Sequence, residues 1–191
     1  KKRKNIIKER EYLKKNDIKL LIKRGDEIVN EDINLFFKCY LNTINKKWSV
    51  AYLNTNFFNQ IRKSILKRKI ILIQAFQKNV FVGCSLHFIG EKNLYGRYWG
   101  CLKEIPFLHF ELCYYSAIEF AIKNNLKKVE AGAQGEHKIA RGYEPKLTYS
   151  NHWFGQSKLS SLIKSYLIEE KKRIKDTIVH LNQFMPFKKI V

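Results

Sequence analysis

The sequence predicts an α/β fold, a mixed and mostly antiparallel sheet flanked by helices and followed by a long C-terminal helix. Three observations carry this expectation. Apolar runs at strand spacing alternate along the chain with runs at helical spacing. Residues 70–76, 80–89 and 94–101 are apolar or aromatic runs separated only by the short polar turns Gln77-Lys78-Asn79 and Gly90-Glu91-Lys92-Asn93, so they should fold back as adjacent antiparallel strands. The 191 residues, 45% hydrophobic and 14% aromatic, suit one domain with a buried core.

Taken in order, residues 1–15 form a basic helix with few apolar positions, Ile6, Ile7 and Leu13, fit to lie on a surface or to dock on a further domain. Residues 18–24 alternate as a first strand closed by Gly25-Asp26. At Asn30 the run Asn-Glu-Asp starts a helix with an asparagine cap and acids in its first turn. It carries Ile33, Phe36, Phe37, Tyr40, Leu41 and Ile44 on one face. Another helix follows Asn54-Thr55 through Phe57, Phe58, Ile61 and Ile65. After the three-strand meander, Pro106 opens a long helix on which Phe107, Phe110, Tyr114, Ala117, Ile118, Ala121 and Ile122 recur until Asn124-Asn125. A short buried strand over 126–130, a glycine-rich loop, a strand near 147–154 and a helix over 158–183 complete the order. The expected organisation is a single domain: a lead-in helix 1–16, a core 17–157 and a C-terminal helix reaching 185. No repeat or Gly/Pro-rich linker interrupts it.

The 37 Lys and Arg against 17 Asp and Glu give a formal charge of +20, a field that attracts polyanions: nucleic acid, a nucleotide, an anionic lipid or a phosphorylated metabolite. A Lys-, Ile- and Asn-rich composition alone also produces such a surface. Cys39, Cys84, Cys101 and Cys113 stand apart, with no C-x-x-C pair and no zinc spacing. They read as small buried hydrophobes in a reducing compartment, and no metal site is expected. No apolar window is long enough to span a bilayer.

Three runs carry a resemblance: Tyr95-Gly-Arg-Tyr-Trp-Gly-Cys101, Pro106-Phe-Leu-His-Phe-Glu-Leu-Cys-Tyr-Tyr115 and Glu130-Ala-Gly-Ala-Gln-Gly-Glu-His-Lys-Ile-Ala-Arg-Gly-Tyr143. They resemble a family of N-acyltransferases linked to peptidoglycan biosynthesis, grouped with the Fem-like acyl and aminoacyl transferases. The resemblance extends from the basic lead-in helix to the region of Phe187. It implies the GNAT acyltransferase fold and tandem GNAT-like halves, of which this chain resembles the second, in a bacterial cytoplasm. A chain beginning at Lys1 is read accordingly as the tail of a longer protein, with a preceding GNAT-like domain or a homodimer as partner.

The implied function is transfer of an acyl or aminoacyl group to an amine, on a cell-wall precursor or related metabolite. The alternative is a non-catalytic GNAT-like module that binds a glycan precursor or RNA. Expected catalytic residues are Glu111 or His109 as general base, with Lys138 supporting the oxyanion or a phosphate. Glu111 stands in an apolar helix, where a carboxylate needs a partner; either it is paired with Arg97 or Arg141, or it is the base. Expected binding residues are Arg97, Trp99, Glu130, Gly132, Gln134, Gly135, His137, Arg141 and Tyr143. Glycines at 132, 135 and 142 let the backbone approach a ligand, and either Lys138 or Arg141-Gly142-Tyr143 fills the basic and aromatic signature that Fem-like proteins carry there. Tyr95, Tyr98 and Trp99, with Arg97 among them, are expected to line a groove for the acyl or aminoacyl group or to belong to the core. The basic lead-in helix, with Lys1, Lys2, Arg3, Lys4, Lys8 and Arg10, either holds phosphates or is simply solvated. His87 and His152 are expected to be structural.

No tightly bound cofactor is expected. Acetyl-CoA enzymes of this fold present glycine N–H groups to the pyrophosphate between the last meander strand and the next helix. Here the segment reads Gly100-Cys-Leu-Lys-Glu-Ile-Pro-Phe107, without those glycines. A Fem-like donor such as aminoacyl-tRNA, or an acyl chain on another carrier, fits better than acyl-CoA, and tRNA suits the charge.

Overall fold

The computed structural model describes residues 2–132 and 135–186, and the chain forms two compact units. One is Arg3–Ala133; the other comprises Lys1–Lys2 and Gln134–Val191.

The first unit runs α1 (Lys2–Lys15), β1 (Ile18–Arg24), α2 (Asn30–Lys46), α3 (Thr55–Lys63), β2 (Ile70–Gln77), β3 (Val80–Ile89) and β4 (Asn93–Cys101). A helix follows in three parts, α4 (Leu108–Phe110), a π turn (Glu111–Tyr115) and α5 (Ser116–Lys123), and then β5 (Lys128–Glu130). The sheet order is β1-β2-β3-β4-β5. The first three pairings are antiparallel and β4–β5 is parallel. The meander forms because Lys78 and Asn79, both at positive φ, make a two-residue reversal whose twist matches the strands.

β2 is buried on both faces. Ile71, Ile73 and Ala75 join Leu13 of α1, Leu108, Leu112, Ala117 and Phe120 in one cluster. Ile70 and Leu72 join Ile28, Ile33, Phe36, Tyr40 and Phe58 in the other. Each fully buried aliphatic side chain contributes about 2 kcal/mol through removal from water. α1 therefore lies on the surface of this unit and docks by Leu13 on its core.

β4 carries a bulge. Leu86 pairs with Tyr98 and His87 with Gly96, so Arg97 is an extra residue and the alternation of faces inverts across it. Leu94 and Trp99, of opposite parity, pack on the same cluster, while Tyr98 packs on the other. At Gly100 the sheet meets α2 backbone to backbone. A Cβ there would lie 2.1 Å from the Cys39 carbonyl oxygen.

β3 is tied to the π turn by two polar side chains of one face. The Ser85 hydroxyl donates to Leu112 O at 2.9 Å and accepts from His87 Nε2 at 2.8 Å. Both residues are about 1% exposed. Burial pushes the His87 pKa down to about 4.

The second unit contains a 3-10 turn (Glu136–Arg141) and α6 (Ser157–Asn182). Residues 143–154 form no strand: with Tyr149 at 89% and Trp153 at 87% exposure, neither face of this segment is covered, and it enters no ladder. Three further expectations are corrected. Asn30 is the first helical residue rather than the cap of α2; the cap position is Val29, whose N–H donates to Asp32 at 2.8 Å. Pro106 and Phe107 form a turn, Phe107 at φ 68, and the helix opens at Leu108. β5 begins at Lys128, not 126, and is half-exposed rather than buried. Cys39, Cys84 and Cys101 are buried, Cys113 half-buried, and all four are free thiols.

Gly100→Ala must push α2 off the sheet and should cost about 3 kcal/mol, read as a lower urea midpoint, whereas Gly25→Ala, with nothing within 4 Å and φ +55, should cost only about 1 kcal/mol of backbone strain. A buried histidine kept neutral opposes folding once the unfolded chain takes up its proton. Stability should therefore fall as pH drops from about 6.5 to about 4, by roughly 3 kcal/mol in all, with a loss of up to about 1.4 kcal/mol per pH unit. His87→Gln should flatten that part of the urea-midpoint profile; an unchanged slope would assign the effect to other groups.

Candidate functional site

On the face of the first unit covered by α1 and α5, Glu111 is 4% exposed and its partner is Arg10, neither Arg97 nor Arg141. Arg10 donates from Nε and Nη2 to the two oxygens of Glu111, both at 3.0 Å. Its Nη2 also donates to Glu119 at 3.1 Å, and Nη1 donates to Glu119 as well. The Ser116 hydroxyl adds a bond to Glu111 Oε1 at 3.0 Å. Tyr115 donates to Glu9 beside this group. The hydrogen bond to Glu119, with further contributions from both carboxylates, holds the Arg10 pKa above its ordinary range. A bidentate pair flanked by a second carboxylate satisfies a charge that burial would otherwise penalise.

His109 lies two residues before the π segment. Its ring rests against Trp99 of β4, centroids 4.4 Å apart, with Tyr114 at 5.2 Å. The parallel β4–β5 ladder spans only Asn93–Tyr95 and Lys128–Glu130. Among the described residues, the rest of β4 has no strand on that edge.

Arg97 turns to the other face of the sheet, because of the bulge. Its guanidinium sits 4.4 Å from the Tyr98 ring centroid and its Nη2 donates to the Tyr52 hydroxyl at 3.2 Å. The Tyr52 and Tyr98 hydroxyls are 2.6 Å apart. Burial, with the Tyr52 hydrogen bond behind it, raises the Tyr98 pKa although the Arg97 charge opposes this. Tyr98 and Trp99 therefore do not line one groove: they face opposite clusters. Tyr95, 40% exposed, accepts from Asn93 at 3.1 Å, and Asn93 also donates to Glu130 at 3.3 Å.

Gly132, at φ +73, has nothing within 4 Å of where a Cβ would stand. Gln134 lies outside the described residues. Gly135, His137, Lys138, Arg141 and Tyr143 belong to the second unit. There Gly135 (φ +94) and Gly142 (φ +95) bracket the 3-10 turn. Lys138 N–H donates to Gly135 O, Tyr143 N–H to Lys138 O, and Arg141 Nη1 to His137 O at 2.9 Å. Burial, and then the Arg141 and Lys138 charges, lower the His137 pKa. A cavity of about 600 Å3 in this unit is lined by Glu144, Lys146, Leu147, Lys175, Ile178 and Val179 among others. None of the expected site residues lines it, so its volume does not mark the chemistry.

Sequence reasoning missed Arg10 as the partner of Glu111, Ser116 five residues beyond it, and Tyr52. Ser85 and His87, two polar residues two apart in an apolar strand, gave a signal that both face the same way. Among the described residues no group of three or more His, Cys, Asp or Glu can hold a metal ion, and no helix is long and apolar enough to cross a membrane.

Comparison with functionally curated proteins finds no match. Among solved structures, an aminoglycoside acetyltransferase from an uncultured soil metagenomic sample, in complex with sisomicin, superposes with a TM-score of 0.51 at 10% identity, over 74% of this chain and 97% of that one. The structure of the same enzyme with trehalose gives 0.50 over the same shares, also at 10% identity. A GNAT family acetyltransferase from Staphylococcus aureus gives 0.49 at 14% identity, over 72% and 99%. The first two likenesses establish the acetyltransferase fold and nothing beyond it. The FemAB-like family, described as peptidoglycan biosynthesis/recognition, matches residues 1–189. The chain belongs to the FemAB-like family.

Proposed function

We propose that the protein transfers an acyl or aminoacyl group from a carrier to an amine, with a peptidoglycan precursor as the acceptor class. The observation that carries this reading is the family match over residues 1–189, on the fold of acetyltransferases. The amine nitrogen attacks the donor carbonyl as its proton leaves, and the oxyanion then collapses by expelling the carrier's thiol or hydroxyl. His109 takes the amine proton: its ring is held on Trp99 beside the edge where β4 leaves β5. Glu111 serves position rather than proton transfer, since three donors occupy its two oxygens and protonation would break a buried pair. In the second unit, Lys138 and Arg141 stand on a 3-10 turn bracketed by Gly135 and Gly142, with His137 and Tyr143 beside them, and supply cations suited to a substrate phosphate.

Backbone bonding after β4 supports a donor other than CoA. The N–H groups of Leu102 and Lys103 both turn to Val82 O, at 2.8 and 3.4 Å, and that of Leu108 to Ile105 O. Pro106 has none to give. Aminoacyl-tRNA matches the charge of +20, since Lys and Arg contacts to phosphate supply most non-specific affinity. The engagement of Glu111 by Arg10 also favours a second reading, a module that binds a glycan precursor or RNA without turnover, and a transfer assay separates the two.

In an assay supplying aminoacyl-tRNA or acyl-CoA with amine-bearing muropeptides, His109→Ala should lower kcat by about 10²- to 10⁴-fold with an unchanged circular dichroism spectrum, and Lys138→Ala with Arg141→Ala should abolish turnover while the chain stays folded. Absence of turnover by the unmodified chain with every donor would replace catalysis by binding. Calorimetry should find CoA binding weaker than about 1 μM, and tRNA binding should weaken steeply between about 50 and 200 mM salt. Micromolar CoA affinity or salt-insensitive tRNA binding would overturn the donor assignment.

A further inference from the structure

The Tyr52, Tyr98 and Arg97 cluster presents to solvent more hydrogen-bond donors than its own oxygens accept. Arg97 Nη2 donates to the Tyr52 oxygen, and the two phenol oxygens share one hydrogen between them across 2.6 Å. Whichever phenol donates, the other keeps an O–H with no acceptor among the described residues. Arg97 is exposed, and its remaining guanidinium N–H groups are likewise uncommitted among the described residues. The Tyr40 hydroxyl in the same aromatic cluster, 2% exposed, also has no hydrogen-bond partner there. The cluster therefore offers donors and lacks an acceptor. Burial and the bond to Tyr52 keep Tyr98 protonated, so a phenolate does not neutralise Arg97 from within. Stacking on Tyr98 fixes the guanidinium in place. Tyr52 is 65% exposed, in a loop that also presents Trp48 at 98% and Val50 at 85% exposure, which leaves the donors reachable from solvent beside an apolar rim.

We propose that Arg97, Tyr52 and Tyr98 form a clamp for an anionic oxygen, a carboxylate or a phosphate of a bound ligand. A guanidinium fork matches two oxygens of either group, and a phenol O–H supplies a further bond. The clamp stands on the face of the sheet opposite Trp99 and His109, so it is a binding site apart from the proposed proton transfer and does not depend on the acyl-transfer reading.

The test is a titration of the full chain, with 13Cζ-labelled tyrosine, at constant ionic strength and without any acyl donor. Tyr52→Phe and Tyr98→Phe assign the two signals. Glycine, phosphoethanolamine and ethylamine are the probes. Saturable shifts of the Tyr52 and Tyr98 signals with glycine or phosphoethanolamine, absent with ethylamine, uphold the clamp, and a response to only one of the two names its anion. Arg97→Gln should weaken that binding by at least about tenfold, with Arg97→Lys in between and the other tyrosine signals unmoved. Equal shifts with ethylamine, shifts with chloride alone, no response to either anionic amine, or unchanged affinity in Arg97→Gln would each overturn the proposal. Because no donor is present, a failure of acyl transfer leaves this measurement standing, and a failure here leaves transfer to be judged by turnover.

Discussion

The carbonyl oxygen of Cys39 lies where the side chain of residue 100 would be, so α2 rides on β4 with its backbone against the strand. Side chains one turn on complete the contact: Asn42 donates to Cys101 O at 2.5 Å and Thr43 to Trp99 O at 3.1 Å. At that spacing the aromatic side chains of α2 have one way to interlock with the sheet. Phe36 meets Phe58 edge to face at 5.0 Å, and Tyr40 meets Tyr98 at 5.3 Å. The position of Tyr98 orients Arg97 above it, and the loop leaving α2 delivers Tyr52 to both. Close-packed interiors transmit such a constraint without slack.

A second constraint acts on the opposite face. α1 carries little apolar surface, so its docking depends on Leu13 and on one ion-paired cluster that joins it to the π turn and α5. Burying Glu111 is tolerable only because a guanidinium meets it edge-on. The π turn brings Glu111 and Ser116 to the same oxygen and aims the Leu112 carbonyl at Ser85, so polar side chains from two directions stabilise a backbone form that is rare in isolation.

The parts of the fold that depend on local chemistry were legible in the sequence. Two-residue reversals, alternating strands and the apolar stripe of α2 each state their geometry within a few residues. The final helix did so as well. Features set by a distant partner were not legible. Nothing near Glu111 announces Arg10, about a hundred residues away, and the cap position of α2 fell to Val29, whose N–H donates to Asp32, rather than to Asn30. Residues 147–154 have strand-like composition but no neighbour to pair with, and strand preference expresses packing context more than backbone preference. The sequence offered His109, Arg97 and Trp99 as residue types but not the contact between His109 and Trp99. That Trp99 and Arg97 turn to opposite faces of the sheet was hidden, because a bulge leaves no mark on composition.

That bulge sets what kinds of change β4 can absorb. Substitution at Arg97 alters a side chain and leaves the register alone. Deletion of Arg97 would remove the bulge and leave Gly96 opposite His87, Tyr98 opposite Leu86 and Trp99 opposite Ser85, each ring on its present face. At this position the strand is tolerant in length as well as in residue identity, since the packing of neither ring depends on residue 97. Divergence here therefore proceeds by exchange or loss of one side chain, the guanidinium over Tyr98, while both faces of the sheet keep their order.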